Sequence, residues 1–352
     1  MVHYPLVRNL KPALVWLVAY ALLVFASLLI PPMFFAICFL SPILLTICGI
    51  RCGLAPLGVC ALLLPAAAWQ LFGASLAPVL CAIYLWPFLI VHVVCFMRKI
   101  PFWKSAAVHV AALAVSQTVI LIILRPYLGG DLFGGSANFL VQKISESSYS
   151  DQILLQLYQT GLLSLPKDMA ILSDSLSSFF NMNIMLPGAR TELLNGLRTV
   201  LQSSMYSFLP STVINSSILA GVFGVAFPIL AAKKRNIPTV KMDPFSKWHL
   251  SRSTGFKVFL LGFGNVLPTF FPSPPMLLAG NMMWASFFTI FVIQGAALMD
   301  FFRMRSVRRP PFRWLWPCAI YVLMPVLLMI MGIADQFMNI RGLRKPKDRE
   351  DA

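Results

Sequence analysis

The chain has 352 residues, of which 59% are apolar and only 11% charged, with a mean hydropathy of +0.80. Soluble domains average about 45–50% apolar and about 25% charged residues, so the bilayer is the solvent expected for most of this chain. The formal net charge of +16 does not call for nucleic acid, because the Lys and Arg residues crowd beside apolar segments, where loops meet an anionic leaflet.

In chain order, a short basic stretch with Arg8 and Lys11 precedes the apolar run 12–30. That run is longer than the roughly 7–15 residues of a signal-peptide core and is read as a retained first helix. Crossing the hydrocarbon layer takes about 20 apolar residues. Nine segments meet that length to within a few residues: 12–30, 33–50, 53–72, 75–97, 105–124, 209–232, 255–272, 276–300 and 314–334. The Pro31-Pro32 junction makes the first two either a hairpin or a broken re-entrant pair. Pro56, Pro65, Pro78, Pro87, Pro268 and Pro325 fall within later segments. Each frees a backbone carbonyl that neighbouring groups must satisfy, and a plain kink is the ordinary outcome.

The expected fold is thus all-α: a polytopic bundle of about nine transmembrane helices with an amphipathic helical insert. Its divisions are an N-terminal bundle (1–124), the insert (125–208), a C-terminal bundle (209–334) and a charged tail (335–352). Basic residues set the orientation. Arg98, Lys99 and Lys104 mark one connection, Lys233, Lys234, Arg235, Lys241, Lys247, Arg252 and Lys257 a second, and Arg303, Arg305, Arg308, Arg309 and Arg313 a third. The positive-inside rule puts these and the N-terminus on the cytoplasmic side of the membrane. Nine crossings then leave Arg341, Arg344, Lys345, Lys347 and Arg349 outside, against their charge. Either one segment is miscounted or the last helix opposes its flank.

The insert carries five basic residues against six acids and shows helical stripes. They run through Ile153, Leu154, Leu157, Tyr158 and Leu162, through Met169, Leu172, Leu176, Phe179 and Phe180, and through Leu193, Leu197, Val200, Leu201 and Phe208. Without a Lys/Arg-rich polar face, these helices suit an extracytoplasmic cap or a connector better than a membrane-gripping arm.

No nucleotide-binding, zinc-protease or serine-hydrolase motif occurs, and no acid lies mid-span, so no enzymatic activity, cofactor or metal is expected. Cys48 and Cys52 share a helix spacing without His or a second pair beside them. His92 and His109 read as packed histidines. What remains is uncharged polarity in the late helices: Asn265, Asn281 and Gln294. A buried amide in lipid must bond a neighbouring helix or a ligand. Gln117 is isolated in its segment, and Asn215, Ser216 and Ser217 open another. Ala107 with Ala111, and Ala220 with Gly224, have the spacing that lets helices approach closely, within the bundle or on another subunit.

Several strings in the second half belong together: Leu209-Pro210-Ser211, Lys233-Lys234-Arg235, Pro244-Phe245, Trp248, Phe291-Val292-Ile293-Gln294-Gly295, and Gly332-Ile333-Ala334-Asp335 through Arg341. Over 209–341 the chain resembles the YybS-like family of multi-spanning bacterial membrane proteins, whose biochemical role is not established. One departure is Ser251, where the family pattern leads one to expect proline. YybS-like proteins are similar at a distance to the substrate-binding S-components of energy-coupling-factor transporters. The resemblance implies a transport-related subunit that binds a small solute and, lacking an ATP-binding motif, relies on a membrane coupling subunit with ATPases. The expected solute contacts are Asn265, Asn281 and Gln294, beneath the insert. The alternative is a non-catalytic scaffold that docks envelope partners through its insert or basic loops.

Overall fold

The computed structural model describes residues 10–72, 76–164, 187–305 and 315–343, and all regular structure among them is helical. Six helices among the described residues are long and apolar enough to cross a membrane, and the chain is a multi-pass membrane protein. It divides into two compact units, residues 1–120 with 211–352, and residues 121–210.

In the larger unit, α1 (Leu10–Leu29) and α2 (Pro31–Cys52) are separated by Ile30 alone. Pro31 and Pro32 begin α2, where a missing N–H costs nothing because the first turn has no carbonyl to bond. The Tyr20 and Ser41 hydroxyls, nearly equidistant from the junction, lie 2.8 Å apart. The pair is therefore a hairpin. α3 (Leu54–Phe72) and α4 (Leu76–Met97) complete a four-helix group. Pro56 and Pro78 fall in first turns, whereas Pro42, Pro65 and Pro87 lie inside their helices. Leu45, Leu64, Leu85 and Phe88 fill the core between these helices.

α5 (Phe102–Leu124) and α8 (Pro187–Lys233) follow the same logic, but α8 runs for 47 residues. The segment expected at 209–232 is its C-terminal half, and the helix continues through Pro210 rather than starting there. Gly224 of α8 faces the Phe88 ring, and its carbonyl accepts from Thr46 Oγ1 at 3.3 Å. Here the Ala220/Gly224 pair serves packing within the unit.

The segment expected at 255–272 is not one helix. α9 (Arg252–Leu261) gives way to a 3₁₀ stretch, Gly262–Val266, and then to the single turn α10 (Leu267–Phe270). Gly262, Gly264 and Pro268 break the α-pattern within seven residues of sequence. Ser251, at the position where proline was expected, instead caps α9 by accepting from the Thr254 N–H at 3.1 Å. The interrupted segment packs antiparallel to α11 (Pro274–Arg305): Gly264 meets Gly280, while Phe259 meets Phe287. A Cβ on Gly280 would sit 2.5 Å from the Gly264 carbonyl oxygen.

The last apolar segment is also broken, at Met324 (φ −144°, ψ 62°), into α12 (Leu315–Leu323) and α13 (Pro325–Met338). At 1.5 Å per residue these reach about 14 and 21 Å, each short of the roughly 30 Å hydrocarbon layer. After α13 the left-handed Asn339 (φ 49°) turns the chain, and Arg341 bonds the carbonyls of Ser246 and Trp248 in the basic connection. Arg341 therefore stands against the basic connection while paired with Asp335 of α13. Arg344 through Arg349 and Arg308 through Arg313 lie outside the described residues.

The smaller unit contains α6 (Leu132–Glu146), α7 (Ser150–Gln159) and the start of α8. Asp131 caps α6 by accepting from the Phe133 N–H at 3.1 Å. Val141, Leu154, Leu193 and Leu197 form its core, and Arg190 pairs with Asp151 at 3.1 Å. Two expected stripes thus contribute buried residues, although Phe208 is exposed. The Met169–Phe180 stripe lies outside the described residues.

Candidate functional site

Polar side chains in the larger unit are drawn into pairs between helices. Gln117 of α5 accepts from Ser216 at 2.9 Å and donates to Ser217 at 3.4 Å, both on α8. Asn215 of α8 accepts from Thr289 of α11. These bonds staple α5, α8 and α11, because an amide without a partner in lipid is costly.

The densest polar group joins α11, α13 and the basic connection. Gln294 Nε2 donates to Asp335 Oδ2 and to Gln336 Oε1, both at 3.1 Å. Arg341 donates to Asp335 Oδ2 at 2.7 Å from one terminal nitrogen and at 3.1 Å from Nε. The two terminal nitrogens also reach the carbonyls of Ser246 and Trp248, each at 2.7 Å. Gln336 Nε2 donates to the Ser251 carbonyl at 3.3 Å. All four side chains are buried. A buried ion pair repays its desolvation only when its remaining donors are satisfied, and here the connection's carbonyls satisfy the guanidinium. Backbone contact supports the same junction: a Cβ on Gly295 would overlap the Leu328 carbonyl, and one on Gly332 the Phe291 carbonyl.

Beside this network lies a cavity of about 370 Å³. α5 supplies Ala106, Ala107, Val110 and Ala111, so the small pair Ala107/Ala111 lines this space. Ile218 and Val222 of α8, with Ile290 and Ile293 of α11, form the facing walls. Trp103 and Trp248, with ring centroids 5.4 Å apart, stand at the end nearest the basic connection. The polar contributors are His249, Thr254 and Gln294. His249 Nδ1 donates to the Lys247 carbonyl at 2.9 Å, which leaves Nε2 as an acceptor, and Thr254 Oγ1 accepts from Ser251 at 2.8 Å. The space suits a compact, mostly apolar molecule.

Of the three amides expected to hold a solute, Gln294 alone lines this cavity, and its N–H groups go to α13. Asn281 lies 13 residues earlier on α11, about 20 Å along the axis, and Asn265 is exposed in the 3₁₀ stretch. The structure does not bring the three amides together at this cavity. The cavity sits near the basic connection, whereas the expected place was beneath the insert.

His92 of α4 and His109 of α5 are buried with ring centroids 5.8 Å apart. His109 Nδ1 donates to the Ser105 carbonyl at 2.7 Å, and both Nε2 atoms lack partners among the described residues. No carboxylate joins them among those residues. Cys38, Cys48, Cys52, Cys60, Cys81 and Cys95 are free thiols. The described residues contain no cluster of three His, Cys, Asp or Glu side chains that could hold a metal.

The sequence reading missed the Asp335–Arg341 pair. Its signal was an acid at a helix end followed six residues later by Arg, with Asn between them to turn the chain. No family model, curated protein or solved structure matches the chain.

Proposed function

We propose that this multi-pass membrane protein is a non-enzymatic, transport-related subunit that binds a small apolar solute in the cavity between α5, α8, α9 and α11. The cavity itself carries the reading: about 370 Å³ of space with aliphatic walls and few polar groups. Its solute is compact and apolar, with at most one or two groups to meet His249 Nε2 or Thr254 at the rim. The resemblance of residues 209–341 to YybS-like proteins supports membership in that family and a place in a bacterial cell membrane. With no nucleotide-binding motif of its own, the subunit would take energy from a coupling subunit with ATPases.

Thermal unfolding in mild detergent, screened against small apolar and amphiphilic solutes, tests the reading. Ligand stabilises the folded state by RT ln(1 + [L]/Kd), so a true solute raises Tm saturably. The same solute should leave Ala111→Phe unmoved, because the ring fills the cavity. A shift of equal size in both proteins would place binding elsewhere. The scaffold alternative predicts no saturable solute and, instead, stable recovery of envelope proteins with the tagged chain.

A further inference from the structure

A second cavity, of about 540 Å³, lies between the last turns of α8 and residues 239–248 of the basic connection. Its chemistry differs from the first. One wall is apolar, with Phe223, Phe227 and Leu230 from α8 and Phe245 from the connection. The other end carries the cations Lys233 and Lys241, with Asp243 as the single acid. Neither lysine meets an acid among the described residues within ion-pair distance. The Trp248 indole N–H, also at this cavity, is already given to the Asp243 carbonyl at 3.0 Å. Besides Asp243 and the Thr239 hydroxyl, the charged donors left here are the two lysines.

Position narrows the occupant. Lys233 ends the 47-residue α8, whose apolar C-terminal half crosses the membrane, so the cation stands at the level of the headgroups. Phe227 and Leu230, two turns and one turn earlier, are 42% and 40% exposed and continue the apolar wall outward toward lipid. A phosphate at Lys233 and Lys241 with hydrocarbon laid along Phe227 and Leu230 matches this order of surfaces. Two unpaired lysines against one acid leave a net positive charge, which complements a monoanionic phosphodiester and gives a zwitterionic lipid no equal advantage.

We infer that this cavity is a binding site for one anionic phospholipid of the leaflet on the basic side. The phosphate lies between Lys233 and Lys241, and an acyl chain packs on Phe227 and Leu230. The site is independent of the solute cavity: it uses other residues apart from Trp248, which walls both.

Native mass spectrometry of the full chain, equilibrated in detergent with equal amounts of phosphatidylglycerol and phosphatidylcholine, reads the site directly. Wild-type protein should retain one phosphatidylglycerol in preference. Lys233→Gln and Lys241→Gln should each reduce that preference by roughly fivefold, and the double variant should abolish it. Lys247→Gln, in the same connection but not at the cavity, is the control and should keep it. These exposed side chains make no bonds that folding needs, and a matching elution volume and Tm confirm that each variant is folded. Equal retention of both lipids by the wild type, or a preference that survives the double variant, would overturn the inference. Equal loss in the control would do so as well, since net surface charge would then be the cause. Inorganic phosphate should not displace the lipid; displacement would reassign the site to a free anion.

Discussion

The first four helices and the last five solve the same problem by different means. In α1–α4, aliphatic and aromatic side chains fill the core, and the neutral Tyr20 and Ser41 hydroxyls meet within it. In α9–α13, glycines bring backbones into contact and a buried Asp–Arg pair ties two helices to a connection. Lipid is as apolar as leucine, so burial alone gives transmembrane helices little reason to choose one neighbour over another. Small residues and polar groups make that choice. The N-terminal group has short connections that limit its options, whereas the broken segments at 252–270 and 315–338 need explicit fixing.

Removing one partner of the buried pair is the sharpest way to break this contrast. Arg341→Met leaves Asp335 charged and buried, and should cost about 3–5 kcal/mol, read as loss of the monodisperse folded fraction in detergent. Pairing it with Asp335→Leu should recover most of that, because an apolar pair of similar volume is often neutral. In the N-terminal group, Tyr20→Phe should cost only about 1 kcal/mol by thermal unfolding, since a single neutral hydrogen bond is lost. If the two losses were equal, the distinction between the regions would fail.

A smaller effect sharpens the packing half of the comparison. Gly332→Ala drives a methyl into the Phe291 carbonyl and should cost about 1–3 kcal/mol in thermal unfolding. Gly58, with nothing near its Cβ position, should accept Ala without loss.

The smallest effect belongs to the exposed Lys143–Glu146 pair at the end of α6. Hydrogen bonds from Lys143 and Gln142 hold the Glu146 carboxyl below its usual range. A depressed carboxylate stabilises the fold above its unfolded pKa, and that contribution fades as pH falls through the folded value. Because the pair is fully in water, Lys143→Gln should leave the unfolding midpoint at neutral pH unchanged.

The sequence was most legible where the fold is simplest. Long apolar runs marked α1 to α5 within a few residues, since about 20 uncharged residues have few other uses. The interruption at 262–266 escaped because hydropathy does not register geometry: Gly262, Phe263 and Gly264 are as apolar as the helix they break. The same blindness hid the break at Met324 within 314–334, although Pro325 held the signal for it. α6 went unread because Asp131, its cap, was counted only as a charge. For the site, Gln294 stood out as a lone amide and does line the cavity. Asn265 and Asn281 shared its chemistry but not its position, and spacing along one chain cannot show which helix faces meet.

The claim that the cavity holds a small apolar molecule can be met head on. The tagged chain and its Ala111→Phe variant would be purified side by side from native membranes, then extracted and surveyed for small molecules by mass spectrometry. One compact apolar species should accompany the wild type in near-equal amount and be missing from the variant. The same species in both proteins, or none enriched in either, would contradict the account.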